Sequence, residues 1–387
     1  MKIRGLIILP LACLAVVSAA CERRSGPPQS TTGEILVGMY GSLTGDGASF
    51  GQSSVEGAQL AVEEINTAGG LLGGRQIRLL VEDDQSRPEE ASSAVTKLIT
   101  QDKVVAVLGE VASRRTLAAA PVAQKYQIPL ITPASTNERV TQVGDYIFRV
   151  CFIDPFQGEV LAKFAYNDLK ARTVAVLKDI QQDYSVGLTD SIQKTFTGLG
   201  GKVLDPVSYS SGDADFRAIL TQVRAQKPDA IFATGYYPEA AIIVRQAREL
   251  GMTMPILGGD GWVGDALKNG REALKNTYIS NHYSGENPDP VVQNFRKAYR
   301  AKFNREPDSI AALGYDAAKV LADSIGRAGT TEGPKVRDAI AAANVAGVTG
   351  QLRMNASRDV VKPAVIEELQ FVDGDVKYVY KTTINPN

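Results

Sequence analysis

From Glu34 onward, short apolar runs rich in β-branched residues alternate with segments of helical periodicity, and this alternation restricts the chain to the α/β class. Residues 35–40 read as a strand, Val55, Ala58, Val62 and Ile65 mark one face of a helix, residues 77–81 read as a second strand, and Pro88 opens the next helix. Residues 104–108 and 128–131 continue the series, with Ser113–Tyr126 as the helix between them. Short, continuous apolar runs of this kind suit strands covered on both faces of a parallel sheet. A second series follows at 173–177, 202–207, 230–234 and 256–257, separated by helical stretches at 183–199, 215–226 and 239–250. The rhythm breaks near the end. Pro290–Phe303, 310–326 and 334–343 are helical candidates with little strand between them, and 366–372 with 376–380 around Asp373-Gly374 predict a β-hairpin. At 387 residues the chain suits two domains of about 100–200 residues each. The expectation is two Rossmann-like α/β lobes.

Composition narrows the function. The chain is 44% hydrophobic and 22% charged, with 42 Lys+Arg against 43 Asp+Glu, as in a soluble globular protein. A net charge of −1 gives no reason to expect nucleic acid as a partner. One histidine, His282, and three cysteines, Cys13, Cys21 and Cys151, leave little for a zinc site or a nucleophile and base pair. No enzyme, cofactor or metal is expected. Residues 69–74 (GGLLGG) follow a helix and precede a strand, the reverse of a phosphate-cradling loop, and read as a turn. Residues 198–202 lack the Ser/Thr after Lys202 that a P-loop needs. Asp83-Asp84 reads as a solvated loop or the cap of the Pro88 helix.

Lys2 and Arg4 precede an uncharged run, 6–20, that ends in Ser18-Ala19-Ala20 before Cys21. The run is shorter than the about 20 apolar residues of a membrane span and reads as an export signal over 1–20. Small residues before a cysteine resemble a bacterial lipobox, with Ser18 where leucine is usual, which implies diacylation of Cys21 and a lipid anchor as the sole membrane attachment. Residues 21–33, rich in Pro, Gly, Ser and Thr, read as a flexible tether. Cys151 then reads as a small core residue.

Several stretches occur in a telling order: 38–51 (GMYGSLTGDGASFG), Gly57-Ala58-Gln59-Leu60-Ala61, Asn66-Thr67-Ala68-Gly69-Gly70, Val81-Glu82-Asp83-Asp84, 129–137 (PLITPASTN), Asp183-Tyr184, Gly235-Tyr236-Tyr237-Pro238-Glu239 and Gly258-Gly259-Asp260-Gly261. Together they resemble the type I periplasmic binding proteins of branched-chain amino acid (Leu/Ile/Val) ABC transporters, over essentially all of 34–387. The resemblance implies two lobes joined by a three-segment hinge with the ligand enclosed between them. It assigns 34–153 and 283–354 to the N-terminal lobe and 154–282 and 355–387 to the C-terminal lobe, with crossings near 152–154, 281–283 and Met354.

A zwitterionic amino acid needs donors for its carboxylate, an anion for its ammonium and an apolar wall for its side chain. Ser113 follows a strand and opens a helix, where hydroxyl, N–H groups and dipole favour an anion, and Thr136 repeats that arrangement; both also fit plain helix N-caps. The resemblance matches Ser113 and Thr136 to the carboxylate-binding residues and Ala134 to a backbone carbonyl for the ammonium, and it counts Ser135 among the ligand-binding residues. It places Asp260 as the acidic partner of that ammonium, although Gly-Asp-Gly is also a common turn, and Asp is shorter than the family's usual glutamate. Phe50, Tyr184 and Tyr236 match aromatic positions lining the cleft. Trp262 fits cleft and core equally. Arg114 and Arg115 read as facing solvent, with an acidic ligand as the alternative.

The function implied is an exported, monomeric binding lipoprotein that captures an amino acid, branched-chain or aliphatic, and delivers it to the permease subunits of an ABC transporter. The rival readings are a sensory module of the same fold and a binder of an amide, urea, aromatic or acidic solute.

Overall fold

The computed structural model describes residues 33–205 and 207–386. The export segment 1–20, Cys13, Cys21 and all of the tether before Gly33 lie outside the described residues. The first lobe's sheet is built from β1 (Ile35–Gly41), α1 (Ala48–Thr67), β2 (Ile77–Asp83), α2 (Pro88–Thr100), β3 (Ala106–Leu108), α3 (Ser113–Tyr126), β4 (Leu130–Thr132), α4 (Arg139–Gln142) and β5 (Ile147–Arg149). Its five strands run parallel in the order β2-β1-β3-β4-β5. β5 was not foreseen, because three residues ending in an arginine carry no readable period.

The second sheet repeats that winding. After α5 (Asp154–Lys163) come β6 (Thr173–Asp179), α6 (Asp183–Gly198), β7 (Lys202–Val203), β8 (Val207–Tyr209), α7 (Arg217–Gln226), β9 (Ala230–Ala233), α8 (Tyr237–Glu249), β10 (Ile256–Gly258) and β11 (Thr277–Asn281). The expected strand at 202–207 is two short ones, β7 and β8, both paired with β6. β6, β9, β10 and β11 are parallel neighbours in that order. Pro238 near the start of α8 and Pro88 at the start of α2 stand where a missing N–H costs nothing, and Glu89, Glu90 and Glu239 favour the positive helix ends.

Three helices follow, α9 (Pro290–Phe303), α10 (Ser309–Ala328) and α11 (Gly333–Ala341), then a ribbon of β12 (Asn344–Gly347) and β13 (Gly350–Arg353). α9 and α10 pack on α1, and α11 packs on α10. The α1–α10 contact is a backbone approach. A Cβ on Gly57 would stand 1.9 Å from the Ala311 carbonyl oxygen, and one on Gly314 would stand 2.2 Å from that of Ser54. Buried Asp316 of α10 ties down the ribbon by accepting from the Val348 and Thr349 N–H groups at 2.8 and 2.9 Å. The hairpin expected at the end is β14 (Ala364–Val372) and β15 (Asp375–Ile384), and β14 pairs antiparallel with β11.

The turn at 69–74 is as read, with positive φ at Gly69, Gly70, Gly73 and Gly74. Cys151 is fully buried, and burial pushes its thiol up to about 12, so it is inert in the core. Trp262 resolves to packing: it is 0% exposed and donates its indole N–H to the Gly235 carbonyl at 3.2 Å. Asp84 corrects the solvated-loop reading, being wholly buried beneath Ser42, whose hydroxyl donates to it at 2.7 Å. Among the described residues no helix is long and apolar enough to cross a membrane.

Candidate functional site

In an open parallel sheet, ligands sit beyond the carboxyl ends of the strands, where the strand order reverses. That point lies between β1 and β3 in the first sheet and between β6 and β9 in the second. Phe50 in the first turn of α1, Ser113 after β3 and Ala134-Ser135-Thr136 after β4 stand at the carboxyl ends of the first sheet. Tyr184 after β6, Tyr236 after β9 and Asp260 after β10 stand at those of the second.

The two sets meet. The Phe50 ring lies edge-on to Tyr236 and Tyr237, with centroids 5.4 and 4.8 Å apart, and Tyr236 stacks on Tyr184 at 5.0 Å and 10°. The Tyr237 hydroxyl donates to the Asp46 carbonyl at 2.6 Å, Asn137 Nδ2 donates to the Asp183 carbonyl at 2.8 Å, and Arg139 pairs with Asp183 at 2.9 Å. A cavity of about 310 Å³ opens at this boundary, with Phe50, Arg114 and Arg115 facing Gln182, Tyr236 and Glu239.

Ser113 is the first residue of α3 and not its cap: Ala112 is the N-cap and makes no side-chain bond, so the capping alternative falls. Its hydroxyl is buried and accepts from the Asn137 N–H at 3.2 Å. Thr136 corrects the expectation of a second helix start. α4 opens three residues later and is only four residues long, because Asn137 Oδ1 turns the chain by accepting from the Arg139 N–H. The Thr136 hydroxyl is buried without a hydrogen bond of ordinary geometry. Ser135 directs its hydroxyl inward, to the Glu110 and Val111 carbonyls at 3.0 and 3.1 Å. Arg149 props the same loop, donating to the Ser135 and Asn137 carbonyls at 2.6 and 2.9 Å while pairing with Asp359 at 2.6 Å. Ala134 is 5% exposed.

On the second side, burial pushes the Tyr184 hydroxyl well above its ordinary range, and the charge of Asp260 pushes it further. Asp260 is 4% exposed; its Oδ1 accepts from Gln157 at 2.7 Å and its Oδ2 lies 2.9 Å from His282 Nε2. Asp154 is also buried at this boundary. Burial holds its carboxyl well above the usual range; the Thr136 hydroxyl opposes the shift and Asp260 adds to it.

Arg114 is exposed, as read, whereas Arg115 corrects the solvent reading. Arg115 is 6% exposed, 3.2 Å from Glu110 and 3.9 Å from Asp84. Burial and then the Glu110 charge push the Asp84 carboxyl up to about 7. The guanidinium turned inward because two buried carboxylates need a cation. Arg115→Met should therefore cost about 3–5 kcal/mol, as expected for a buried pair that loses one partner. An acid whose folded pKa lies above its unfolded value gains stability as pH falls, so the loss should be largest near pH 8 and smaller near pH 5. Equal losses at both pH values in urea unfolding would refute this account.

Residues that sequence reasoning missed are Asp154, Gln157, Tyr237, Glu110 and His282. Tyr237 and Asp154 carried weak signals, the first adjoining Tyr236 and the second preceding Pro155 at a helix start. Gln157 and Glu110 carried none.

Residues 34–365 match the family model described as "Periplasmic binding protein", and the chain belongs to that family, whose members bind substrates and do not transform them. It is 32% identical over 349 residues to an "Amino acid binding protein" of Pseudomonas aeruginosa, covering 89% of this chain and 92% of that one. Among solved structures it is similar to the leucine binding protein LivK from Thermotoga maritima, with a TM-score of 0.86 and 40% identity over 91% of this chain and 99% of that one. It is also similar to the branched-chain amino acid transporter substrate binding protein LivJ from Streptococcus pneumoniae in complex with isoleucine, with a TM-score of 0.83 and 35% identity over 90% of this chain and 100% of that one.

Proposed function

We propose that this chain is the extracytoplasmic solute-binding component of an ABC importer and captures an aliphatic amino acid between its lobes. Residues 34–153 and 283–354 form one lobe and 154–282 with 355–387 the other, crossing near 152–154, 281–283 and Met354. The packing of α9 and α10 on α1 and the pairing of β14 with β11 support this division. The ligand carboxylate lies at the N-terminus of α3, where Ser113 and the dipole favour it and the Thr136 hydroxyl offers a second donor. The Ala134 carbonyl and Asp260 take the ammonium, and Phe50, Tyr184 and Tyr236 wall the side chain. Ser135 shapes the loop that carries Ala134 and Thr136: its hydroxyl is held inside the lobe, its N–H donates to Thr132 Oγ1 at 3.0 Å and its carbonyl accepts from Arg149 at 2.6 Å. Export through 1–20 and diacylation of Cys21 tether a monomer near its permease.

The observation that carries this reading is one boundary holding buried hydroxyls of the first sheet, and an aromatic stack and a buried carboxylate of the second. The leucine binding protein of Thermotoga maritima and the isoleucine complex of the Streptococcus pneumoniae protein support an aliphatic side chain. Because both lobes touch the ligand only when closed, differential affinity drives closure.

A thermal-shift screen of protein refolded free of carried-over ligand tests it. A ligand at about 100 times its dissociation constant adds about 2.7 kcal/mol of stability. Leucine, isoleucine or valine should raise the melting point. A rise with aspartate or glutamate alone would move the ligand to the acidic class, and no rise with any amino acid would remove the amino acid.

A further inference from the structure

Asp260 is held by two donors from distant parts of the chain. Gln157, in α5, donates to its Oδ1 at 2.7 Å and to Ser280 Oγ at 3.0 Å. His282, the only histidine of the chain, places Nε2 at 2.9 Å from Oδ2. The imidazole is 2% exposed and stacks on Phe152, with centroids 3.8 Å apart and an interplanar angle of 24°. Its pKa falls to about 4, burial being the first cause; the bond to Asp260 opposes the fall, and the charge of Lys362 adds to it. The ring is therefore neutral near pH 7, and facing a carboxylate it presents Nε2–H.

Two neutral donors have a consequence that an arginine or lysine would not have. They fix the carboxylate plane and occupy one acceptor direction on each oxygen, yet bring no charge of their own and leave the other acceptor directions to an incoming cation. Lys362 is a buried cation whose field reaches both the imidazole and Asp260, and its ammonium donates to Thr349 Oγ1 at 2.6 Å. An aspartate also reaches less far than a glutamate, so its rotamer decides whether the charge meets the ligand. Phe152 and His282 lie in two of the segments assigned above as crossings, so the acceptor is bonded to the hinge.

We propose that His282 is a positioning residue for ligand recognition, its Nε2–H orienting Asp260 toward the ammonium of a bound amino acid. This rests on the reading of Asp260 as the ammonium acceptor. Gln157 supplies the second donor, and the stack on Phe152 holds the imidazole in place.

The experiment combines two readouts on protein carrying no histidine tag. Nitrogen-15 NMR sees one imidazole: the neutral Nε2–H tautomer is expected near pH 7, with a switch to Nδ1–H in Asp260→Asn, where the new amide offers a donor to Nε2. Calorimetry with L-leucine follows. His282→Phe, which keeps the stack and loses the donor, should weaken binding about tenfold or more, and His282→Gln, which restores a donor, should return it to within about threefold of wild type. In the Asp260→Asn background, His282→Phe should add no further loss, because the two residues act through one contact. A wild-type Nδ1–H tautomer, full loss in His282→Gln, or additive losses in the double variant would each overturn the proposal. If Asp260→Asn binds L-leucine as wild type does, the ammonium reading itself fails. If the wild type binds no L-leucine, the ligand reading fails and the tautomer alone decides the Asp260 contact.

Discussion

Replacing Asp260 with Asn should raise the dissociation constant for L-leucine by at least about a hundredfold, while the melting point of the ligand-free protein changes little. Removing one partner of a buried ion pair costs about 3–5 kcal/mol, and about 2.7 kcal/mol is already two decades of affinity. The folded state tolerates the change because Gln157 can still donate to the amide oxygen and neutral His282 can turn its acceptor nitrogen to the amide N–H. Calorimetric titration against refolded wild type is the measurement. An unchanged affinity would remove Asp260 from ligand binding, and a collapse of the melting point would mark it as structural.

The largest stability effect belongs to α1 and α10. Gly57→Ala and Gly314→Ala should each cost about 3 kcal/mol, the upper end for overpacking, because the added methyl meets a backbone carbonyl and not a side chain that can swing away. At about 2–4 °C per kcal/mol in a domain of 150–250 residues, the melting point should fall by about 6–12 °C. Gly326, in the same α10, has nothing within 4 Å of a built Cβ. Gly326→Ala should therefore stabilise by about 0.5–1 kcal/mol through helix propensity alone. Opposite signs for Gly314 and Gly326 in calorimetric melting would establish close approach as the cause; losses of equal size would refute it.

The strand order explains why so much of the fold was legible. Runs such as 35–40 and 230–234 are buried on both faces, so their apolar character is continuous and survives any uncertainty about their ends. β5 escaped, and the division of the strand expected at 202–207 into β7 and β8 went unseen, because two or three residues have no period and pairing with neighbours makes them strands. Ser113, Thr136 and Asp260 were legible for a related reason, since residues just past buried strands stand at the carboxyl edge of a doubly wound sheet, whereas Phe50, Ala134, Tyr184 and Tyr236 rested on the family resemblance. Sequence could not say which way their side chains point. Ser135 and Thr136 are neighbours, yet one hydroxyl is held inside the lobe and the other faces the buried carboxyl of Asp154.

The amino-acid sequence by itself determined the α/β class, the two series of strands, the terminal hairpin and the core role of Cys151, since each follows from local periodicity or from a side chain's own chemistry. Only the tertiary structure decided the fate of the charges. Arg115 turned inward because Asp84 and Glu110, 31 and 5 residues away, converge on it, and His282 meets Asp260 because β10 and β11 are parallel neighbours whose carboxyl ends deliver both to one place. Electrostatic energy depends on distance and burial, and neither exists for residues far apart along the chain until the sheets bring them together.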